Sequence, residues 1–351
     1  MVNKKYITID KRKIGFGYPT FIVAEISGNH NQSYEKAVKI IDASIAAGVD
    51  AVKIQTYTAD TITIDSDKKW FQIADGPWKG QNLYQLYKKA HTPWNWQKKL
   101  KEYTEKKGVL FFSSAFDETS VDFLEELKVK LYKVASFEIV DIGLLEKIGK
   151  TKKPVIISRG MASLNEIEKA VDTLYKNGTP EIAILHCVSD YPADPKDMNL
   201  STIPDLANKF KVVTGLSDHT LGIATSIAAV ALGASIIEKH VTLDRSEGGP
   251  DSAFSLEPEE LDTLVKAIRE VEQSFGKPVY SVTKNEKKNK IFRRSLFIVK
   301  DIKKGEKITR DNARSIRPGY GLGTEHLKNV LGRVAVQNIE KGTPLTWKLI
   351  K

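Results

Sequence analysis

The chain has 351 residues, of which 41% are apolar and 28% charged, with a formal net charge of +10. That length exceeds one ordinary domain and suits a barrel of ~250 residues with a small second domain. No apolar run approaches the ~20 residues that span a bilayer. The first residues, MVNKKYITIDKRKIG, lack the apolar core of a secretory signal. One cysteine, Cys187, excludes an intramolecular disulfide and suits a reducing, cytoplasmic setting. The charge is uneven. Residues 284–351 hold 18 Lys and Arg against 6 Asp and Glu, while residues 1–283 hold 36 against 38. A basic module of this kind suits nucleic acid, an anionic ligand or an acidic partner surface. Most of these lysines read as a solvated face, and neither nucleic acid nor a membrane is expected as a partner.

In chain order, eight apolar runs each close on polar residues: FIVAEI, AVKIQT, LFFSSA, LYKVAS, PVIISR, AILHCV, VVTGLS and SIIEKH. They start at Phe21, Ala51, Leu110, Leu131, Pro154, Ala183, Val212 and Ser235. Near-continuous apolar runs read as strands buried on both faces, and their alternation with helices predicts parallel βαβ units. Eight units predict a (β/α)8 TIM barrel with its active site at the C-terminal strand ends. Between the second and third strands, residues 57–109 are too many for one connection. Only about Trp94 to Lys107 reads as the barrel helix. The aromatic-rich remainder, including DKKWFQIADGPWKGQNLYQLYKKAHTPWNW, is expected to be an ordered cover over the site. Ser163 with Glu166 is a capping-box pattern for a helix to about Tyr175, closed by Asn177-Gly178. Gly222 to Leu232 is a small apolar helix. Glu257-Pro258 opens an amphipathic helix to Phe275.

The barrel domain is therefore expected over 1–276, a linker over 277–290 and a β-rich domain over 291–351. Within the last, VKDIKKGEKIT (299–309) recurs as VQNIEKGTPLT (336–346), with five of eleven positions identical. Two β-turn-β units around Gly305 and Gly342 predict a pseudo-symmetric module. The intervening SIRPGYGLG reads as a Pro/Gly-fixed loop.

The chemistry gathers at the strand ends. His219 and His240 close adjacent strands, which lie about 4.8 Å apart. Paired imidazoles at such a place suit an open divalent transition-metal site, the plainer alternative being hydrogen-bonded barrel residues. Lys53 and Lys133 are cations in apolar strands. Each needs a carboxylate such as Glu25 or Glu238, a carbonyl substrate for a Schiff base, or a ligand anion. With Ser114, Ser136, Ser158 and Ser217 beside them, phosphate fits better than an imine. No Walker-type glycine loop is present. Glu25 and Asp251 are carboxylates placed to bind hydroxyls or move protons. Asp251, held by Gly248-Gly249-Pro250, reads equally as an ordinary turn residue. His30, in GNHNQ, is a further candidate substrate contact. His186, His91 and His326 read as structural or surface residues.

The motifs AEISGNHNQ, DAVKIQTYTADTIT, FFSSAFDETSVDFLEEL, YKVASFEI, GLSDHTLGI, EKHVTLDR and GGPDSAFSLEPEE resemble the sialic acid synthase family. RRSLFIVKDIKKGEKIT and RPGYGL resemble its antifreeze-like (SAF) domain, so the resemblance covers essentially the whole chain. It implies a metal-dependent condensation of phosphoenolpyruvate with an acylamino sugar, giving a nine-carbon 2-keto acid and phosphate. By motif, His219 and His240 match the family's metal ligands, with Mn2+ expected and Mg2+ or Co2+ as alternatives. Lys53, Ser114, Lys133, Ser136, Ser158 and Ser217 match its phosphoenolpyruvate contacts. Glu25, Tyr191 and Asp251 match its sugar contacts, with Ser189 standing where N-acetylneuraminate members commonly have Asn. Arg317 matches an arginine delivered by the antifreeze-like domain of the other subunit, which implies a homodimer with exchanged C-terminal domains. NLYQLYKKAHTPW and HCVSDYP are more similar to the pseudaminic acid branch, and N-acetylneuraminate or legionaminate chemistry is the alternative. Two further departures stand out. Arg159 interrupts the usual STGM pattern, where its guanidinium either alters anion binding or faces outward. Ala193 replaces a usual Thr.

Overall fold

The computed structural model describes residues 6–76 and 78–351. The chain divides into two compact units, with the break between Gly276 and Lys277. The first opens with an antiparallel hairpin, β1 (Tyr6–Ile9) and β2 (Arg12–Gly15). The eight expected strands follow. They are β3 (Phe21–Glu25), β4 (Ala51–Thr56), β5 (Leu110–Ala115), β6 (Tyr132–Val134), β7 (Val155–Ser158), β8 (Ile182–Cys187), β9 (Val213–Asp218) and β10 (Ile236–His240). They pair in chain order and close as a barrel through parallel pairing of β10 with β3.

The hairpin was not apparent in the sequence, because its strands are four residues each and the second carries Arg12 and Lys13. Ile7, Ile9 and Ile14 are buried and cluster with Phe21, Leu131, Ala183 and Ile236 near the strand starts. The hairpin therefore plugs the N-terminal mouth of the barrel with three isoleucines.

Helices flank the barrel where the periodicity put them. Ser163 and Glu166 form a reciprocal capping box ahead of Leu164–Lys176, and Asn177 closes that helix. Pro258–Ser274 begins with its proline in the first turn. The small apolar helix is Ala224–Ala231, and Trp94–Lys106 is the barrel helix after the insertion. The insertion itself holds helices Ala59–Ile62 and Leu83–Ala90 with a 3-10 turn, Lys69–Phe71, between them. No described helix is long and apolar enough to cross a membrane.

In the second unit, residues 277–285 are irregular and a 3-10 helix, Glu286–Phe292, starts within the expected linker and runs two residues past its end. Strands β11 (Ser295–Ile298) and β12 (Ala313–Ile316) pair antiparallel. The sequence repeat is a structural one. Ile302 and Ile339, equivalent positions, exchange two backbone hydrogen bonds, Ile302 N–H to Ile339 O at 2.9 Å and the reverse at 2.8 Å. Lys304 N–H donates to Asn338 Oδ1, and Lys341 N–H donates to the equivalent Asp301 Oδ1. Gly305 and Gly342 both take φ +90°, a left-handed turn conformation that glycine adopts at least cost.

Candidate active site

At the C-terminal mouth the barrel opens into a cavity of about 560 Å³. Side chains alternate along a strand, so β4, β6, β9 and β10 send Lys53, Lys133, Ser217, Glu238 and His240 inward together. Glu238 is central to them. Its Oε1 accepts from Ser217 Oγ at 3.0 Å and lies 3.8 Å from both lysine nitrogens. Lys53 also pairs with Glu25 at 2.5 Å and donates to Ser114 Oγ at 3.1 Å. Lys133 donates to Ser158 Oγ at 2.7 Å. The internal salt bridge weighed for Lys53 is thus present, yet both lysines still line the cavity.

These groups change one another's acidity. Burial raises the Glu25 pKa and Glu238 repels its charge further, against the opposing pull of Lys53. Burial pushes the Glu238 pKa up too, but Lys133, Lys53 and the Ser217 hydrogen bond together bring it below the ordinary carboxylate value. Burial likewise lowers the Lys133 pKa, with Glu238 opposing. A cation with one carboxylate at 3.8 Å and a hydroxyl at 2.7 Å is incompletely neutralised, which favours an incoming anion.

His219 and His240 face each other with ring centroids 5.4 Å apart. His219 Nδ1 lies 2.8 Å from Val188 O, which can only accept, so that nitrogen carries the proton and Nε2 is free. His240 Nδ1 lies 3.3 Å from Ser27 Oγ. Burial, then the neighbouring His219, holds the His240 pKa well below the ordinary imidazole value, which keeps the lone pair of one ring nitrogen available. With metal–nitrogen bonds of about 2.1 Å, rings at this separation can share one ion. Among the described residues no third His, Cys, Asp or Glu completes a metal-binding cluster with them. The residues fit a divalent ion held openly, with its remaining positions left to water or substrate.

The other expected residues divide into two sets. Ser114, Ser136, Ser158, Tyr191 and Asp251 line the cavity. Burial raises the Asp251 pKa, against the Ser27 hydrogen bond. Glu25 and Ser189 are not on the wall. Glu25 is fully buried under Lys53 and Gln55, and Ser189 reaches the site through a 2.8 Å hydrogen bond to Ser136. Arg317 is an exposed residue of the second unit. His30 departs from expectation. It is enclosed beside Trp96, bonded to Thr92 and the Gln32 amide, and does not line the cavity. Arg159 also turns away, donating to His186 Nδ1.

Glu138, the Trp78–Pro250 tie and the close approach at Gly28 were missed from the sequence, whereas the aromatic insertion was expected at the site. Glu138 lines the cavity with Oε2 unbonded, and burial lifts its pKa to about 7. Its signal was a carboxylate inside the apolar stretch FEIVDI, one turn beyond a strand end. The insertion supplies Trp78, Leu83, Leu86 and Tyr87 to the wall, while Tyr57 packs against Tyr87 and Phe116. Trp78 Nε1 donates to Pro250 O at 2.7 Å, tying the insertion to the Asp251 loop. Gly28 permits this closeness, since a Cβ there would lie 3.0 Å from both Ala90 and Pro250.

A model of the NeuB family matches residues 40–280, and a SAF domain model matches residues 293–351. A pseudaminic acid synthase of Campylobacter jejuni is 42% identical, over 93% of this chain and 95% of that one. An N,N'-diacetyllegionaminic acid synthase of the same species is 39% identical, over 92% and 97%. The solved N-acetylneuraminic acid synthetase of Leptospira borgpetersenii superposes with a TM-score of 0.71 at 37% identity, covering 81% of this chain and 94% of that one. The chain therefore belongs to the NeuB family, and it is an enzyme with a C-terminal SAF domain.

Proposed function

We propose that this chain is a transferase, a pseudaminic acid synthase. It condenses phosphoenolpyruvate with 2,4-diacetamido-2,4,6-trideoxy-L-altrose to a nine-carbon nonulosonic acid and phosphate. One observation carries the reaction class: a single cavity holds two lysines among serines beside a pair of facing imidazoles. The choice of sugar rests on the 42% identity to the Campylobacter enzyme. The 39% identical legionaminic acid synthase keeps a second reading, in which another acylamino sugar is used.

In this reading Lys53, Lys133, Ser114, Ser136, Ser158 and Ser217 hold the phosphate and carboxylate of phosphoenolpyruvate by charge-assisted hydrogen bonds. Its methylene carbon bonds to the sugar's aldehyde carbon, water adds to the adjacent carbon, and phosphate leaves. His219 and His240 hold a divalent ion, Mn2+ by preference, whose chemistry is Lewis-acid polarisation of a substrate oxygen. Tyr191 and Asp251 face the sugar. Glu25, under Lys53, fixes that lysine and takes up or returns a proton through it. The insertion shields the cavity from bulk solvent while the one water that the reaction consumes is admitted.

The reading extends to a cytoplasmic homodimer in which Arg317 of one subunit serves the barrel of the other. Exposed apolar side chains support it: Phe137, Val140 and Met161 on barrel loops, and Tyr320 beside the Arg317 loop. Mixing Arg317→Ala with His240→Ala subunits tests it. Restored activity in heterodimers supports exchange, and its absence in verified heterodimers refutes it. The reaction is tested by phosphate release from phosphoenolpyruvate across candidate acylamino sugars, before and after chelation. No release with any sugar overturns the reading. Release only with a different sugar selects the second one.

A further inference from the structure

Between the two histidines and the helix layer lies an ion pair that the proposed chemistry does not use. Asp218 and Lys239 are the residues immediately before His219 and His240, and they are register partners on β9 and β10. Alternation points them outward, away from the cavity that Ser217, Glu238 and His240 line. Both side chains are fully buried, and Lys239 Nζ lies 3.0 Å from Asp218 Oδ2.

The pair is also fastened on every side. Asp218 Oδ1 accepts from Thr220 N–H at 2.9 Å and from Thr220 Oγ1 at 2.8 Å. Asp218 Oδ2 accepts from Ser226 Oγ at 2.6 Å, which ties it to helix Ala224–Ala231. Lys239 Nζ donates to Thr220 O. One lysine thus bridges β10 to both ends of the turn that carries His219. An ion pair in an apolar layer is a costly way to join two strands, since well-packed apolar side chains serve stability as well or better. What it adds is directional bonding on both sides of the histidine-bearing backbone.

We propose that Asp218 and Lys239 are positioning residues that set the spacing and orientation of His219 and His240. The proposal rests on the reading of those histidines as a metal pair. Polar partners behind metal ligands typically govern affinity by ten- to a hundredfold.

The full chain carrying Asp218→Asn with Lys239→Met tests it, because charge balance and the two Thr220 bonds to the residue 218 oxygen persist while the Lys239 links to Asp218 and to Thr220 O are lost. Its crystal structure and a calorimetric Mn2+ titration are compared with wild type. We expect a folded protein whose imidazole centroids move from their 5.4 Å separation, with Mn2+ affinity weakened roughly ten- to a hundredfold. Lys239→Arg, which keeps the cation, should retain both properties. Unchanged imidazole spacing and affinity in the double variant overturn the proposal and leave the pair a structural staple. If the double variant does not fold, Asp218→Asn with Lys239→Gln, which is also charge-balanced and lacks the ion pair, gives the same comparison. If wild type binds no Mn2+, the metal reading fails by itself, and the imidazole spacing still decides this proposal.

Discussion

The two mouths of the barrel are built from the same eight strands and resemble each other in nothing else. At the N-terminal mouth the strand starts are apolar, and the β1–β2 hairpin adds Ile7, Ile9 and Ile14 to seal them. At the C-terminal mouth the same strands end on buried lysines, carboxylates, serines and histidines around open space. Burying apolar area stabilises a fold, whereas burying charge costs stability unless partners are supplied. The apolar burial at the closed mouth offsets part of the cost of the charges buried at the open one.

The largest break between the mouths should come from the histidines. His219→Ala with His240→Ala is expected to cut phosphate release at least about a thousandfold, the scale of Lewis-acid stabilisation, while the melting temperature stays near wild type. Normal turnover in that variant would remove the metal from the reading. Ile14→Ala should show the converse. It truncates a fully buried side chain and should cost about 2–5 kcal/mol of stability in denaturant unfolding, with kcat unaltered below the transition. A kcat loss there would show that the two ends are coupled.

Glu138 gives a prediction in pH. Its unfolded carboxyl releases a proton near 4.5, whereas the folded one holds it to about 7. The folded state therefore binds more protons across that window, and the contribution of Glu138 to stability is present below 4.5 and lost as pH rises through 7. The loss amounts to about 3 kcal/mol. Glu138→Gln should flatten the stability profile between pH 5 and 8, and parallel profiles for variant and wild type would show the carboxyl to be solvated. Last, Lys53→Ala and Lys133→Ala should each weaken phosphoenolpyruvate use by about 1.5–3 kcal/mol, or roughly ten- to 150-fold, with a smaller effect on the sugar. Equal losses on both substrates would assign the lysines to the scaffold.

Most of the barrel was legible because parallel strands are buried on both faces and write uninterrupted apolar runs. Leu131 against Tyr132 and Ser235 against Ile236 show the boundaries off by one residue. The polar residues ending those runs were legible for the same reason, since a lysine within AVKIQT has few structural excuses. The hairpin was hidden because its burial comes from strand starts far away in sequence. Glu138 was hidden because it opens a 3-10 turn four residues past the strand end at Val134, beyond the pattern that picked out its neighbours. His30 misled because a histidine in a polar loop says nothing about which way it faces. Thr92, 62 residues later, decides that.

The repeat in the SAF domain carries a consequence for trimming the protein. Gly305 N–H donates to Ala335 O, and the equivalent Gly342 N–H donates to Ile298 O. Each half is thus completed by the backbone of the other, like two clasps that close only together. Removing residues 336–351 would take away Thr343 and Gly342, which bond the backbone of Ile298, and Ile339, which bonds Ile302, so a truncation near the end should unravel the module from residue 293 onward rather than shorten it.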